Sequence, residues 1–230
     1  MIFKEWEIFY KKILKDFDFD YNKDIDSAKF LDSKIKGKNP IKIGRLKNLI
    51  NKKNVYILGA APSLLKSIKK YKDKIVQNTI ICADGATSAL VENKIIPDII
   101  LTDLDGKISD QIYAKKKGSI VIIHAHGDNI DRIKTYLPEF KDDIIGSTQT
   151  NPLAYNNLIN FGGFTDGDRS VFLADHFNAK KIYLLGFEYD NIGKYSFSEQ
   201  KNKNIKKKKL KWCKKLIDEL TMKNNNIIYL

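Results

Sequence analysis

Apolar residues in the first fifty positions recur at helical spacing. Phe3, Trp6, Phe9/Tyr10, Ile13/Leu14 and Phe17 fall every three to four residues and predict an amphipathic helix. A second helix is expected to open at Asp26 or Ser27, either of which can cap it, and to run to about Ile35. Gly37 and Pro40 then break the pattern, and Ile41 to Ile50 predicts a third helix. From residue 54 the rhythm changes. Short apolar runs occupy Val55–Leu58, Ile80–Ala83, Ile99–Thr102, Ile120–His124, Ile144–Gly146, Ile182–Leu185 and Ile227–Leu230. Their apolar residues are consecutive rather than alternating, as expected for strands covered on both faces. Most spacers have room for a crossover helix. The pattern therefore predicts an α/β fold with a doubly wound, mostly parallel sheet over 54–230. Residues 1–53 are expected to form an N-terminal helical appendage.

Composition leaves this picture intact. At 230 residues, 43% hydrophobic and 30% charged, the chain can bury a core of its own. No apolar run is long enough to cross a bilayer, and Lys4, Glu5 and Glu7 argue against a secretory signal. Cys82 and Cys213 lack metal-ligand spacing and read as reduced thiols in a cytoplasmic protein. The net charge of +13 raises a nucleic-acid reading. Residues 191–230 carry eleven lysines against Glu199, Asp218 and Glu219, so +8 of that charge sits in one segment. There Lys206 to Lys209 accompany Leu210, Trp212, Cys213, Leu216, Ile217 and Leu220 at helical spacing, which favours the solvated face of an amphipathic helix. No nucleic-acid-binding fingerprint accompanies it. The charge can still draw in an anionic substrate such as ATP.

In a parallel sheet, ligands bind beyond the carboxyl ends of the strands, so the residue after each run is the informative one. Those positions read Gly59-Ala60-Ala61-Pro62-Ser63, Asp84-Gly85-Ala86, Asp103-Leu104-Asp105-Gly106, His124-Ala125-His126-Gly127-Asp128 and Gly146-Ser147-Thr148. The first loop suits close approach of a ligand to Gly59 and Ala60, with Ser63 or free N–H groups holding a phosphate at a helix start. Alone it is equally a strand-to-helix turn with Pro62 opening the helix. Asp103 and Asp105 are the sharper signal, because two carboxylates two residues apart can converge on Mg²⁺ shared with substrate phosphates. Asp98 precedes the same strand and is expected at the opposite edge of the sheet. His124, His126 and Asp128 admit three readings: contact with a nucleotide phosphate or its Mg²⁺, a helix cap at Asp128, or a zinc site. In the glycine-dense stretch 161–170, Asp168 or Ser170 can cap the following helix, and Arg169 can neutralise phosphate charge.

Taken together these residues carry a resemblance. Ala83-Asp84-Gly85-Ala86 and Pro97-Asp98-Ile-Ile-Leu-Thr-Asp103-Leu-Asp105-Gly106 resemble the A-D-G-[GA] and P-D-x-x-x-G-D-x-D-S loops of thiamin pyrophosphokinases. The G-A-x-P-S-L start, the His124-x-His126-Gly-Asp128-Asn129 loop and the Gly-Phe-Thr-Asp-Gly-Asp168-Arg169 loop are similar to a related family, the methanopterin-pathway pyrophosphokinases acting on 6-hydroxymethyl-7,8-dihydropterin. The likeness spans about residues 54 to 190. Thr102, Gly106 and the missing Asp-His after Arg169 depart from the thiamin enzymes, and the forty residues after 190 read mainly as helix rather than as a thiamin-binding β-sandwich.

The resemblance implies a Rossmann-like domain, ATP as co-substrate, Mg²⁺ as cofactor and a hydroxymethyl dihydropterin as acceptor in tetrahydromethanopterin biosynthesis. It implies that Asp103, Asp105 and Asp128 hold metal, that Asp168 joins them in catalysis, and that Arg169 offsets developing charge. Gly59, Ala60, Ser63, Asp84, Gly85, His126 and Arg169 are then the expected nucleotide or pterin contacts. A thiamin-type pyrophosphokinase, a nucleotide-sugar glycosyltransferase and a basic nucleic-acid-binding module led by 201–215 are the rival readings. Neither a nucleic-acid nor a membrane partner is expected. The N-terminal helices are open to two uses, covering the cleft or forming a homodimer contact.

Overall fold

A computed structural model describes residues 3–35, 40–140, 144–196 and 203–230. Eight strands form one parallel sheet: β1 (Asn54–Leu58), β2 (Thr79–Ala83), β3 (Ile99–Thr102), β4 (Ile120–Ala125), β5 (Ile144–Thr148), β6 (Leu158–Ile159), β7 (Lys181–Leu185) and β8 (Ile227–Tyr229). Their order is β6-β5-β4-β3-β2-β1-β7-β8. The chain thus winds outward from β1 in one direction, then returns to place β7 on its other side. Leu58 pairs with Cys82 of β2 and with Leu185 of β7, so the switch in strand order lies beside Gly59 and Gly186. All seven apolar runs of the sequence became strands. The pattern missed only β6, whose two residues are too short to show a period.

The helices are α1 (Phe3–Phe17), α2 (Tyr21–Lys34), α3 (Pro40–Ile50), α4 (Leu64–Val76), α5 (Ala86–Glu92), α6 (Ile108–Lys116), α7 (Ile130–Tyr136), α8 (Asp166–His176) and α9 (Lys203–Lys223). Alternate strand residues feed two hydrophobic cores. Val55, Ile57, Ile99 and Leu101 face α1, α3, α8 and α9. Tyr56, Leu58, Ile100 and Val121 face α2 and α4 to α7. This explains why the strand runs are apolar without interruption.

The N-terminal helices pack into both cores. Trp6, Tyr10 and Ile13 of α1 are buried in one core, while Ala28 and Leu31 of α2 are buried in the other. Burying such side chains stabilises by about 1.5–3 kcal/mol each. Helix α2 also opens earlier than its apolar pattern implied. Asp20, rather than Asp26 or Ser27, caps it by accepting the Asn22 N–H at 2.8 Å. Gly37, read as a break between helices, lies outside the described residues. Asp98 sits at the amino end of β3 as expected, where its carboxylate accepts the Ile80 N–H at 2.7 Å.

Candidate active site

The carboxyl ends of the central strands open into a cavity of about 650 Å³. Gly59 and Ala60 line it after β1, Asp84 and Gly85 after β2, Asp103 and Asp105 after β3, and His126 and Asp128 after β4. Asp166 and Arg169 enter from α8. Asp20, Lys23 and Asp24 of the α1–α2 segment and Lys206 and Lys209 of α9 complete the wall. Of the N-terminal region, the start of α2 and the turn before it thus form part of the cleft wall.

The acidic loop after β3 is bent by Leu104, a buried residue at φ 66°. A non-glycine residue in this region costs about 1–2 kcal/mol. The bend is held because Thr102 Oγ1 accepts the Leu104 N–H at 2.9 Å. The Thr102 hydroxyl in turn donates to Asp84 at 2.7 Å. Gln111 and the Asp105 N–H also donate to Asp84, at 2.6 and 3.2 Å. Gly106 permits this contact, since a Cβ there would lie 1.7 Å from Asp84 Oδ1. That requirement explains why the loop ends in glycine.

Oxygens of Asp84, Asp103 and Asp166 lie within 4.8 Å of one another. Burial and the charges of Asp105 and Asp103 push the Asp84 carboxyl well above its usual range. Burial and the Asp103 charge raise Asp166 to about 7 and Asp105 to about 6. Burial would raise Asp103 too, but the hydrogen bond and charge of His126 outweigh it and hold Asp103 far below the usual range. Among the described residues, Asp103 Oδ1 has no hydrogen-bond partner. Four crowded carboxylates with an unpartnered buried oxygen form a hard-oxygen donor set that fits a divalent cation such as Mg²⁺.

His126 bridges Asp103 and Asp128, at 3.0 Å from Nε2 and 2.5 Å from Nδ1. Burial lowers its pKa, yet these two carboxylates raise it to about 9, so the ring is an imidazolium at neutral pH. Asn129, fully buried, ties the loop together. Its Oδ1 accepts the His126 N–H and the Ser27 hydroxyl, and its Nδ2 donates to the carbonyls of His124 and Asp103. Arg169 donates to Asp166 at 3.1 Å and to Gln149 Oε1 at 3.2 Å. Gln149 donates in turn to Asp24 at 2.7 Å, and Asp24 also accepts from the Tyr10 hydroxyl and from the Gly127 N–H at 2.6 Å.

Several expectations change here. Asp103 and Asp105 sit together, but the residues converging with Asp103 are Asp84 and Asp166. Asp84, expected to touch a ribose or pterin edge, has both oxygens engaged inside the acidic cluster. Asp128 is removed from that cluster; its side chain is 75% exposed and held by His126. Nor does Asp128 cap α7, whose cap position is Asn129. Asp168 is a structural residue. Its carboxylate accepts the N–H groups of Phe164 and Thr165 and the Thr165 hydroxyl, completing a capping box at the start of α8. Ser63 does not line the cavity, and Glu188 takes its N–H at 3.0 Å. The N–H groups of Gly59 and Ala61 also bond within the fold, to Leu185 and Gly186, which removes them as phosphate donors. His126 is bonded at both nitrogens, and His124, held at Nδ1 by Ser147, does not line the cavity, so the two histidines do not converge there as the zinc reading requires. Asp166, Asn129, Gln149, Lys206 and Lys209 are the site residues that the sequence did not single out.

Comparison with known proteins points to one family. Residues 31–193 match the family model described as "6-hydroxymethylpterin diphosphokinase MptE-like". The chain is 47% identical to 6-hydroxymethyl-7,8-dihydropterin pyrophosphokinase of Methanocaldococcus jannaschii, over 96% of each chain. It is 41% identical to the protein of that name from Pyrococcus furiosus, over 98% of this chain and 96% of the other. The one from Methanothermobacter thermautotrophicus is 39% identical over 94% and 93%. Among solved structures, the MAf glycosyltransferase of Magnetospirillum magneticum matches at 18% identity and a TM-score of 0.40. That match covers 63% of this chain and 26% of the other, a likeness too loose to bear on function.

Proposed function

This chain belongs to the MptE-like family of 6-hydroxymethylpterin diphosphokinases, and on that premise we propose that it moves the β,γ-diphosphate of ATP onto the hydroxymethyl group of 6-hydroxymethyl-7,8-dihydropterin. The pterin hydroxyl oxygen bonds to the β-phosphorus, the bond from that phosphorus to the α,β-bridging oxygen breaks, AMP leaves with that oxygen, and the hydroxyl proton is released. The product is the pterin diphosphate, an intermediate on the way to tetrahydromethanopterin.

The gathering of Asp84 and Asp103, at the strand ends, with Asp166, at the start of α8, carries this reading. These three are the residues that would hold Mg²⁺, which would neutralise phosphate charge as it shifts during transfer. Chemistry of this kind needs alignment and electrostatics more than covalent help. Arg169, buried and fixed by Asp166 and Gln149, supplies a rigid cation beside the cluster. We assign the orienting of the acceptor hydroxyl to Asp105, which is exposed on the cavity wall next to Asp103. Asp20, Lys23 and Asp24, from the start of α2, form a further part of the wall.

The test is incubation with ATP, Mg²⁺ and the reduced hydroxymethylpterin, with and without chelator, followed by product identification. AMP and a pterin diphosphate, lost on chelation, are expected. Formation of ADP, or undiminished turnover in chelator, would overturn the proposal.

A further inference from the structure

Helix α9 brings its basic run to the cavity in an orderly way. Lys206, Lys209, Leu210 and Cys213 line the cavity, and Leu216, Ile217 and Leu220 continue the same stripe into the core. Lys206 and Lys209 are half-buried, whereas Lys207 and Lys211 are exposed on the other side. The helix is pinned to α1 beside this stripe: Trp212 Nε1 donates to Asp16 at 2.7 Å, and Lys208 pairs with the same carboxylate at 3.0 Å. Two ammonium groups thus line the cavity near its carboxylates, the charge of Lys209 acting on Asp103 and Asp128 and that of Lys206 on Asp105.

Among the described residues, neither lysine makes a salt bridge, and Lys209 lies 5.9 Å from the Phe164 ring centroid. Arg169, in contrast, is already bonded to Asp166 and Gln149. A divalent ion on the carboxylates would offset only part of a triphosphate's charge, and the rest needs cations from the protein. A lysine answers that need as a compact point charge on a flexible stem.

We propose that Lys206 and Lys209 form the polyphosphate-binding wall of the site, holding the β- and γ-phosphates of ATP against the carboxylate cluster. This rests on the proposed use of ATP and adds which residues of the chain recognise the transferred diphosphate. It also gives the positive charge of 203–215 a local purpose. The cavity-facing lysines bind the diphosphate, and the outward ones keep the helix solvated.

The experiment compares calorimetric binding of Mg²⁺-ATP and of AMP, without pterin, to the full chain and to Lys206→Met, Lys209→Met and the double variant. Lys207→Met, on the exposed face, is the control, and Lys209→Arg is the charge-keeping rescue. Each single loss should weaken ATP about tenfold and the double loss about a hundredfold, with AMP within about twofold. Lys209→Arg should recover most of the ATP affinity. Equal weakening of ATP and AMP, or unchanged ATP affinity in the double variant, would overturn the proposal. An unsubstituted protein that binds no ATP would overturn the nucleotide reading itself, and the wild-type titration separates that outcome from failure of the lysines alone.

Discussion

Replacing Asp24 by alanine should be among the most damaging single changes outside the catalytic cluster. Its carboxylate is 3% exposed and accepts from the Tyr10 hydroxyl, the Gly127 N–H and Gln149 Nε2. Alanine would leave three donors without their partner, the Tyr10 hydroxyl in the core and the Gln149 and Gly127 groups at the cavity wall. An unsatisfied buried donor costs about 1–3 kcal/mol. Partial relaxation, and relief from burying the carboxylate, bring the expected total to roughly 3–5 kcal/mol. The loss should extend to activity, because Gln149 orients Arg169 and Gly127 belongs to the loop that carries His126 and Asp128. Urea unfolding of wild type, Asp24→Ala, Tyr10→Phe and the double variant measures this. Tyr10→Phe alone should cost about 1 kcal/mol, and the two changes should be non-additive by at least about 0.5 kcal/mol. A loss below about 1 kcal/mol for Asp24→Ala, at unchanged m-value, would refute the assignment of the N-terminal helices to the site wall.

Asp166 and Asp168 should separate cleanly. Asp166→Asn is expected to lower turnover at least a hundredfold with little change in stability, while Asp168→Asn should cost about 1–2 kcal/mol by weakening the α8 cap, read by urea unfolding. Mg²⁺ affinity should fall as pH drops through about 7 and then 6, because Asp166 and Asp105 take up protons that compete with the cation. Calorimetry in buffers of different ionisation enthalpy should show proton release on binding at pH 7, and a pH-independent affinity between 8 and 5.5 would contradict it. In metal-free protein, burial lowers the His126 pKa but Asp103 and Asp128 raise it to about 9. Its folded-state value thus lies above the unfolded one near 6.5, so its contribution, on the order of 3 kcal/mol, is complete below about pH 6.5 and fades as pH rises through 9. The stability gap between wild type and His126→Gln in chelator should therefore shrink between pH 6 and 10. Gly106→Ala should disrupt the cluster, since the new Cβ would collide with Asp84; metal titration would show it as lost affinity.

The sheet was legible because buried parallel strands must be apolar at every position, and those runs stand out in any sequence. Helix α2 was less so. Its inner face carries Asp24 and Ser27, polar residues that bond to the active-site loops and interrupt the apolar period. The strand-end rule put Asp84 and Asp103 at the cavity because loops after parallel strands share one edge. It could not rank carboxylates within a loop. Asp166 and Asp168 are two residues apart in sequence yet point to different tasks, and only the start of α8 decides between them. The signal was present as Thr165-x-x-Asp168, a capping-box spacing that spends the second aspartate on the helix end. Lys206 and Lys209 were hidden for a different reason. A solvated basic face and a cavity-facing one have the same composition, and only the helix's orientation against α1 tells them apart.

The central claim is that a diphosphate unit moves intact, and the position of an isotopic label tests it most directly. ATP labelled at the β-phosphorus, incubated with Mg²⁺ and the reduced hydroxymethylpterin, should place the label in the pterin product and leave the AMP unlabelled. Substituting Asp103 by asparagine should abolish that transfer. Label retained in ADP, with only the γ-phosphoryl group reaching the pterin, would contradict the account.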